Sequence, residues 1–192
     1  MKKLLTILAT IYCTTSANAA EVAAWKILPD QSKLEFRANQ DASSISGSFR
    51  NFNGKITFDK NQLAQSKVVI EIDTSSVVAS TIDASGSIQR PEWLSTKAFP
   101  KAIFTAEKFT TNDQKIFHAD GNLTLKGKIV PTSLDFTFQE YSGAKAVAIG
   151  KTNIKRSAFG IGDSDVKKSN GIKDDVEITF TVSAARYFEA KN

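Results

Sequence analysis

Hydrophobic and polar residues alternate with a period of two along most of this chain. The alternation is found in residues 34–38, 45–49, 56–58, 68–72, 134–138 and 176–184. Successive side chains of a β-strand point to opposite faces, so this period is typical of strands with one buried face. The pattern predicts roughly eight strands and no amphipathic helix longer than about three turns.

The longest alternation covers residues 117–129. One face carries Phe117, Ala119, Gly121, Leu123, Leu125, Gly127 and Ile129, and the other carries His118, Asp120 and further polar residues. This regularity predicts one long strand whose hydrophobic face, including Ile129, points inward.

Closure of the sheet follows from the number of strands. An open sheet of this size would expose two edges, so a barrel or a sandwich is required, and we favour an antiparallel eight-stranded barrel in an all-β fold. Residues 74–100 interrupt the alternation, and Pro91 suits the first turn of a helix. We expect a short helical flap there, over one end of the barrel, and a second polar connection over residues 163–175.

Small residues are concentrated on the inward face of one predicted strand. This face comprises Ala144, Ala146, Ala148, Gly150, Thr152, Ile154 and Arg156. An eight-stranded barrel is either filled by side chains or holds one elongated ligand, and a wall of small residues favours the ligand. The alternative is that these residues make room for Phe rings from the facing strands.

Three groups of residues form the predicted ligand site. Strand parity predicts that the pocket is lined by Phe36, Phe49, Phe58, Ile70, Phe104, Leu123, Phe136 and Phe138. The large apolar flap residues Trp93, Leu94 and Phe99 are expected to cover its mouth, either as a gate or as a fixed plug.

Arg156 completes the predicted site. Parity places it inward, where an unpaired guanidinium is costly. Its partner is expected to be a carboxylate (Asp59, Asp73 or Asp83), a set of backbone carbonyls, or the polar head of a ligand. A structural ion pair is the favoured interpretation, and an anchor for a lipid head is the alternative.

The first residues predict export. Lys2 and Lys3 precede a largely apolar segment of nine residues, 4–12, and the sequence Ala17-Asn18-Ala19 fits a cleavage site. We therefore expect residues 1–19 to be a cleaved signal peptide and residues 20–192 to form a single domain, periplasmic or secreted. Cleavage would remove the only cysteine and the only methionine, so no disulfide is expected.

Charge and motifs exclude several functions. The net charge of +5 comes from 25 basic and 20 acidic side chains scattered along the chain, without the basic stripe that nucleic-acid binding needs. The single histidine, His118, is expected to form a surface pair with Asp120, which provides too few ligands for a metal. No catalytic constellation is found, so we expect no enzyme activity, no metal and no cofactor.

Several segments resemble the YceI-like family of polyisoprenoid-binding proteins. They are WKILPDQS at 25–32, GSF at 47–49, FNGKITFD at 52–59, GNLTLKG at 121–127 and RSAFGIG at 156–162, with RPEWL at 90–94 and FP at 99–100. The resemblance implies a lipocalin-like barrel that holds an isoprenoid chain, such as a quinone tail. Many members have Arg-Asp in the flap where this chain has Arg90-Pro91, so flap geometry and ligand entry are expected to differ.

The resulting hypothesis is a periplasmic carrier or sequestering protein for an isoprenoid or other long-chain lipid. Each buried methylene contributes about 0.8 kcal/mol relative to water. A bilayer is as apolar as the pocket, so loading and unloading would require only transient contact with a membrane. The alternative is an enzyme or redox-accessory protein acting on a small amphiphile. The sequence leaves open whether the protein is a monomer or a homodimer.

Overall fold

The computed structural model describes residues 22–113, 115–162 and 171–187. Its strands are β1 (Ala24–Ile27), β2 (Lys33–Gln40), β3 (Ser43–Phe49), β4 (Phe52–Thr57), β5 (Lys67–Asp73), β6 (Val77–Ala79), β7 (Lys101–Thr111), β8 (Phe117–Leu125), β9 (Lys128–Tyr141), β10 (Lys145–Lys155) and β11 (Ile172–Tyr187). Helix α1 spans Ile82–Ile88, and short 3₁₀ turns lie at Pro29–Gln31, Leu63–Gln65, Thr74–Ser76 and Arg156–Phe159. Across these ranges, no helix is both long enough and apolar enough to cross a membrane.

Eight of the strands close into an antiparallel barrel. The order is β1, β4, β5, β7, β8, β9, β10 and β11, and β11 pairs again with β1. Strand β11 is shared between two neighbours, because Ala184–Tyr187 pair with β1 whereas its earlier residues pair with β2. Strands β2, β3 and β6 extend the sheet beyond the closed ring. The prediction of an antiparallel eight-stranded barrel is confirmed.

The long alternation of residues 117–129 is a hairpin and not a single strand. Lys126 and Gly127 have φ values of 49° and 74° and form a two-residue turn, the geometry that matches the twist of the flanking strands. The turn pairs Leu125 with Lys128, so the inward positions change from odd numbers in β8 to even numbers in β9. Ile129 therefore faces outward and is 69% exposed, and the prediction that it faces inward is wrong.

The flap contains one short helix, as predicted, but at a different place. Helix α1 begins after Thr81, whose hydroxyl accepts a hydrogen bond from the Ala84 amide at 3.1 Å. It ends at Ile88, so the prediction that Pro91 starts a helix is wrong. A proline disfavours the α conformation in the residue before it, and Pro91 here follows the helix in a turn. The flap also contains β6, which is too short to show an alternation.

The second polar connection is shorter than predicted. Strand β11 already begins at Ile172, so residues 172–175 belong to the sheet. The register shifts between Ile172 and Val176, and this irregularity interrupts the alternation that would have revealed the strand. Residues 163–170 of the connection and residues 1–21, with the predicted signal peptide, lie outside the described residues.

The buried residues form two clusters, one in each half of the barrel. The aromatic half is built around Trp25, Phe58, Phe104, Phe109, Phe117, Phe136, Phe138 and Tyr141. The flap half is built mainly from aliphatic residues and three buried rings: Ile27, Phe36, Phe52, Ile72, Leu94, Ile154, Phe159 and Ile161. Residues from both halves line the cavity that is described below.

Candidate ligand site

The barrel interior contains a cavity of about 220 Å³. Its wall includes side chains from all eight barrel strands, and almost all of them are aliphatic or aromatic. Polar atoms are carried only by four of the lining side chains, those of Trp25, Thr132, Tyr141 and Thr152. An engineered apolar cavity of about 150 Å³ is enough to bind benzene, so this interior is large enough for a short apolar chain.

Interlocked rings close the cavity in the aromatic half. The Phe58 ring has its centroid 5.5 to 5.8 Å from the rings of Phe109, Phe117, Phe136 and Phe138. Most of these contacts are edge-to-face, the geometry that aromatic quadrupoles favour. This end is therefore sealed by side chains that fit one another closely.

Two rings of this half, those of Trp25 and Tyr141, carry polar groups, and both groups form hydrogen bonds with the backbone. Trp25 Nε1 donates to the Phe58 carbonyl at 2.9 Å, and the Tyr141 hydroxyl donates to the same oxygen at 3.4 Å. Burial raises the pKa of Tyr141, and the charge of Asp59 raises it further. The tyrosine is therefore neutral at physiological pH and adds no charge to the cavity wall.

The small residues on the inward face of β10 make room for a facing ring at one position and leave space for a ligand at others. At Gly150 any side chain would clash with the Asp135 carbonyl, the Phe180 ring and the Phe136 Cβ, so there the small residue makes room for a ring and for the neighbouring strand. Ala146 and Ala148, in contrast, border the cavity. The strand thus leaves free space towards its start and is filled in its middle.

Seven of the eight residues predicted to line the pocket lie on the cavity wall. They are Phe49, Phe58, Ile70, Phe104, Leu123, Phe136 and Phe138. Phe36 is buried, but its ring packs on Gly47 and does not border the cavity. Contact of these residues with a ligand stays a prediction.

The wall also contains residues that the sequence did not single out. Phe180 and Val182 belong to an alternating segment, so parity alone would have placed them inward. Trp25 lies in a strand of only four residues, too short for a periodic signal. Thr132 was missed because the two-residue turn before β9 reverses the parity of that strand.

The three flap residues pack in the flap half but do not line the cavity. Leu94 is buried in the core there, and Trp93 packs against the same cluster. The Phe99 ring covers Gly127 in the β8–β9 turn.

Hydrogen bonds fix both ends of this flap segment. The Gly162 amide donates to the Glu92 carbonyl at 2.7 Å, and the Thr74 hydroxyl donates to the Phe99 carbonyl at 2.7 Å. These bonds favour the fixed plug over the gate.

Arg156 lies outside the cavity wall and is 2% exposed. Its guanidinium donates to three backbone carbonyls, at 3.1 Å to Lys173, 2.8 Å to Ile161 and 2.9 Å to Ile172. Backbone carbonyls were one of the predicted partners. The arginine thus ties the loop after β10 to the start of β11.

The carboxylates of Asp174 and Asp73 both have lowered pKa values. Burial raises the pKa of Asp174, but hydrogen bonds from the Ser157 amide and hydroxyl and the charges of Arg156 and Lys155 outweigh it and lower the pKa. Asp73 was a candidate partner of Arg156. It accepts from the Ser75 hydroxyl at 2.6 Å, and this bond lowers its pKa.

His118 lies on the outer face, but its partner is not the predicted one. Its Nδ1 lies 2.5 Å from the Asp135 carboxylate, its register partner on β9. Asp120 instead contacts Lys108 at 3.1 Å and Ser133 at 2.8 Å. Cross-strand neighbours are closer than residues two apart on one strand, which is why the sequence suggested the wrong pair.

Comparisons with known proteins agree with this geometry. The model of the YceI-like domain family matches residues 25–184. The chain belongs to the YceI-like family. A UPF0312 protein of Yersinia enterocolitica is 30% identical over 190 residues, which cover 95% of each chain.

Solved structures of YceI-like proteins have the same fold. BcnA of Burkholderia cenocepacia has a TM-score of 0.76 and 25% identity, covering 82% of this chain and 98% of that one. A polyisoprenoid-binding domain from Saccharophagus degradans has a TM-score of 0.68 and 14% identity, covering 86% and 99%. At that identity, the second similarity shows the fold alone.

Proposed function

We propose that this protein binds the isoprenoid chain of a polyprenyl or quinone-type amphiphile inside its barrel and carries or sequesters it. The observation that carries the proposal is the cavity inside the barrel, whose wall is almost entirely apolar. Membership of the YceI-like family supports it, as does the similarity in fold to a domain named for polyisoprenoid binding.

The chemistry of the wall fits an apolar chain better than a reaction. A polyprenyl tail offers only methyl, methylene and vinyl groups, which phenyl and aliphatic side chains contact without unpaired polar atoms. In this proposal the protein acts by binding and release.

Export to the periplasm is part of the same proposal. A free isoprenoid chain is nearly insoluble in an aqueous compartment, and each methylene moved into the barrel contributes about 0.8 kcal/mol. Transfer from a bilayer to the cavity is close to neutral because both surroundings are apolar. Transient contact with a membrane is then sufficient for loading and unloading.

Native mass spectrometry of protein purified from its own periplasmic fraction tests the proposal. We expect an added mass that corresponds to a prenyl lipid and that organic solvent removes. A protein that is absent from that fraction contradicts the location. Protein that carries no lipid, and that does not take up a C15 prenol from micelles, contradicts the binding function.

A matched pair of variants connects binding to the cavity. Ala148 borders the cavity, and its neighbour Ile149 points to the outer face of the same strand. Ala148→Phe is expected to fill the space and abolish prenol uptake, whereas Ile149→Phe is expected to retain it. Equal uptake by both variants would place the ligand outside the barrel.

A further inference from the structure

The barrel wall lacks a backbone ladder along one stretch of the flap half. The ladder between β9 and β10 ends at the pair Lys151–Asp135. Beyond that pair, β9 continues in its ladder with β8, and β10 continues in its ladder with β11. We call the interval between residues 128–134 of β9 and residues 152–155 of β10 the ladder gap. Pro131 lies on its β9 side and has no amide hydrogen that could extend the ladder.

A side-chain hydrogen bond crosses the ladder gap. The Thr152 hydroxyl donates to the Ser133 carbonyl at 2.7 Å. One neutral hydrogen bond contributes little to stability, because both of its groups can bond to water when it breaks. Backbone segments held by few hydrogen bonds open locally at a lower free energy than segments in a full ladder. The two strands can therefore separate here while the β8–β9 and β10–β11 ladders stay intact.

The cavity lies directly behind the ladder gap. Side chains from both sides of the gap line the cavity, Thr132 and Leu134 from β9 and Thr152 and Ile154 from β10. Separation of the two strands would thus connect the cavity with the exterior. The flap is the other candidate for an entrance, but hydrogen bonds fix both ends of its segment. The ladder gap is therefore the better entrance.

The outer face of β9 at the ladder gap is apolar. Ile129 is 69% exposed, and Pro131, on the same face, is also exposed. Single exposed apolar residues are common on protein surfaces, but these two lie beside an entrance to an apolar cavity. Transfer of the isoleucine side chain from water to an apolar medium is favourable. This position fits a partner that is apolar beneath a polar surface, as a bilayer is.

The charges around the ladder gap favour an anionic partner. Lys128 and Lys151 flank the gap and are exposed. Asp135, the register partner of Lys151, lies against His118 and forms no ion pair with that lysine among the described residues. The carboxylate of Asp175 on β11 is likewise paired, with a lysine of β10. Exposed lysines are attracted to an anionic membrane surface, so the two flanking lysines complement a bilayer that contains anionic lipids.

We infer that an anionic bilayer docks on this face and that the prenyl tail passes between β9 and β10 into the cavity. Ile129 enters the interface of the bilayer, while Lys128 and Lys151 contact lipid phosphates. The tail then moves from one apolar environment to another without crossing water. This inference rests on the proposed function and adds the docking surface and the route of exchange.

A cross-link between the two sides of the ladder gap tests the route. Ser133→Cys and Asn153→Cys place two cysteines at exposed positions that continue the register of the pair Lys151–Asp135. The cross-link is formed by oxidation, or by a short bis-maleimide if the two sulfurs do not meet. Cross-linked protein should no longer take up a C15 prenol from vesicles, and reduction of the disulfide should restore uptake. Prenol loaded before cross-linking should be retained when empty vesicles are added.

A second pair of cysteines is the matched control. Thr137→Cys and Ile149→Cys replace register partners within the intact part of the ladder. A cross-link there should leave the rates of uptake and release unchanged, because those strands are already joined. All of these variants also carry Cys13→Ser, which removes the only natural cysteine.

Vesicle composition tests the docking surface. The unmodified protein should take up the prenol at least about fivefold faster from vesicles of phosphatidylcholine and phosphatidylglycerol in equal parts than from phosphatidylcholine alone, as the attraction of lysines predicts. Ile129→Glu should slow uptake from the anionic vesicles by a similar factor. Ile82→Glu, at an isoleucine of α1 that is 91% exposed, is the control and should leave the rate unchanged.

The outcomes separate this inference from the proposed function. Equal uptake by the cross-linked and the reduced protein overturns the route through the ladder gap and leaves the cavity function intact. Equal rates from both kinds of vesicle, or equal slowing by the two glutamate variants, overturn the docking surface. If the unmodified protein takes up no prenol from vesicles or from micelles, the proposed function itself fails.

Discussion

The two halves of the barrel are closed by different means. In the aromatic half a backbone ladder joins β9 to β10, with one irregularity between Val147 and Ala148, and ring contacts fill the end. In the flap half β11 pairs with β2 and no longer with β1, and the β9–β10 ladder has ended at the pair Lys151–Asp135. Side-chain hydrogen bonds contribute to the closure there, from Thr152 to the Ser133 carbonyl and from Arg156 to the start of β11.

This difference bears on two separate properties, the stability of the fold and the access of a ligand to the cavity. A half closed by a backbone ladder and by rings changes shape only if many contacts break together. A half in which a few side chains contribute to the closure can vary without loss of the barrel. We therefore expect the aromatic half to determine stability and the flap half to determine how a ligand enters.

The largest effect is expected in the aromatic half. Phe117 is 1% exposed, and its ring lies 5.4 Å from both Phe136 and Phe138. Phe117→Ala should lower the free energy of unfolding by about 3–5 kcal/mol, measured by chemical denaturation. Phe49→Ala is the comparison in the flap half, where the ring already borders the cavity and has one ring neighbour. Equal losses for both variants would show that the halves do not differ in this way.

Loss of the buried guanidinium should be the next largest effect. Arg156→Met leaves three backbone carbonyls without their donor and is expected to cost about 2–3 kcal/mol of unfolding free energy. Because Arg156 lies off the cavity wall, prenol affinity should not change. Arg50→Met, at an exposed arginine, is the control. A loss of prenol affinity with Arg156→Met would restore its role as a ligand anchor.

Removal of the cap of helix α1 should have a smaller and local effect. Thr81→Ala deletes the acceptor for the Ala84 amide and is expected to cost about 1 kcal/mol. Hydrogen exchange should accelerate in α1 and the flap but not in the aromatic half. Replacement of the neighbouring Ile82, 91% exposed, by Ala should leave the exchange rates unchanged. Faster exchange throughout the barrel would mean that the flap supports the whole fold.

The smallest effect concerns acid stability at the flap half. The pKa of Asp174 is lowered in the folded protein, by the Ser157 hydrogen bonds acting against burial. Its stabilising contribution is complete above about pH 5, where the unfolded carboxyl is ionised, and is lost as pH falls through the lower folded pKa.

Asp174→Asn removes this contribution. The difference in unfolding free energy from the unmodified protein should be constant above about pH 5 and shrink towards pH 2. Asp175→Asn, at an exposed carboxylate paired with Lys155, is the control. A difference that does not change with pH would show that the Asp174 charge is not responsible.

The sequence predicts the barrel and much of its wall because strand parity is a strictly local signal. Prediction from parity fails where one turn or one bulge changes which positions, odd or even, face inward. The Lys126–Gly127 turn reversed the parity of β9 and hid Thr132, while the irregular register near Ile172 hid the start of β11.

Contacts between distant elements could not be predicted from the sequence, for a different reason. The point where the β9–β10 ladder ends depends on how distant strands pair, and the partners of Arg156 depend on how the loop after β10 meets the start of β11. No local pattern encodes either arrangement. Parity did place Arg156 inward at the end of β10, but not its distance from the cavity.

The most direct test of the central claim is the crystal structure of the protein with a C15 prenol that carries bromine at the tail end. The anomalous signal of bromine locates the tail without any assumption about its path. The account predicts one bromine peak inside the barrel, within the cavity that Phe58, Phe136 and Phe138 help to line. A bromine peak on the outer surface, with the interior unchanged, would contradict it.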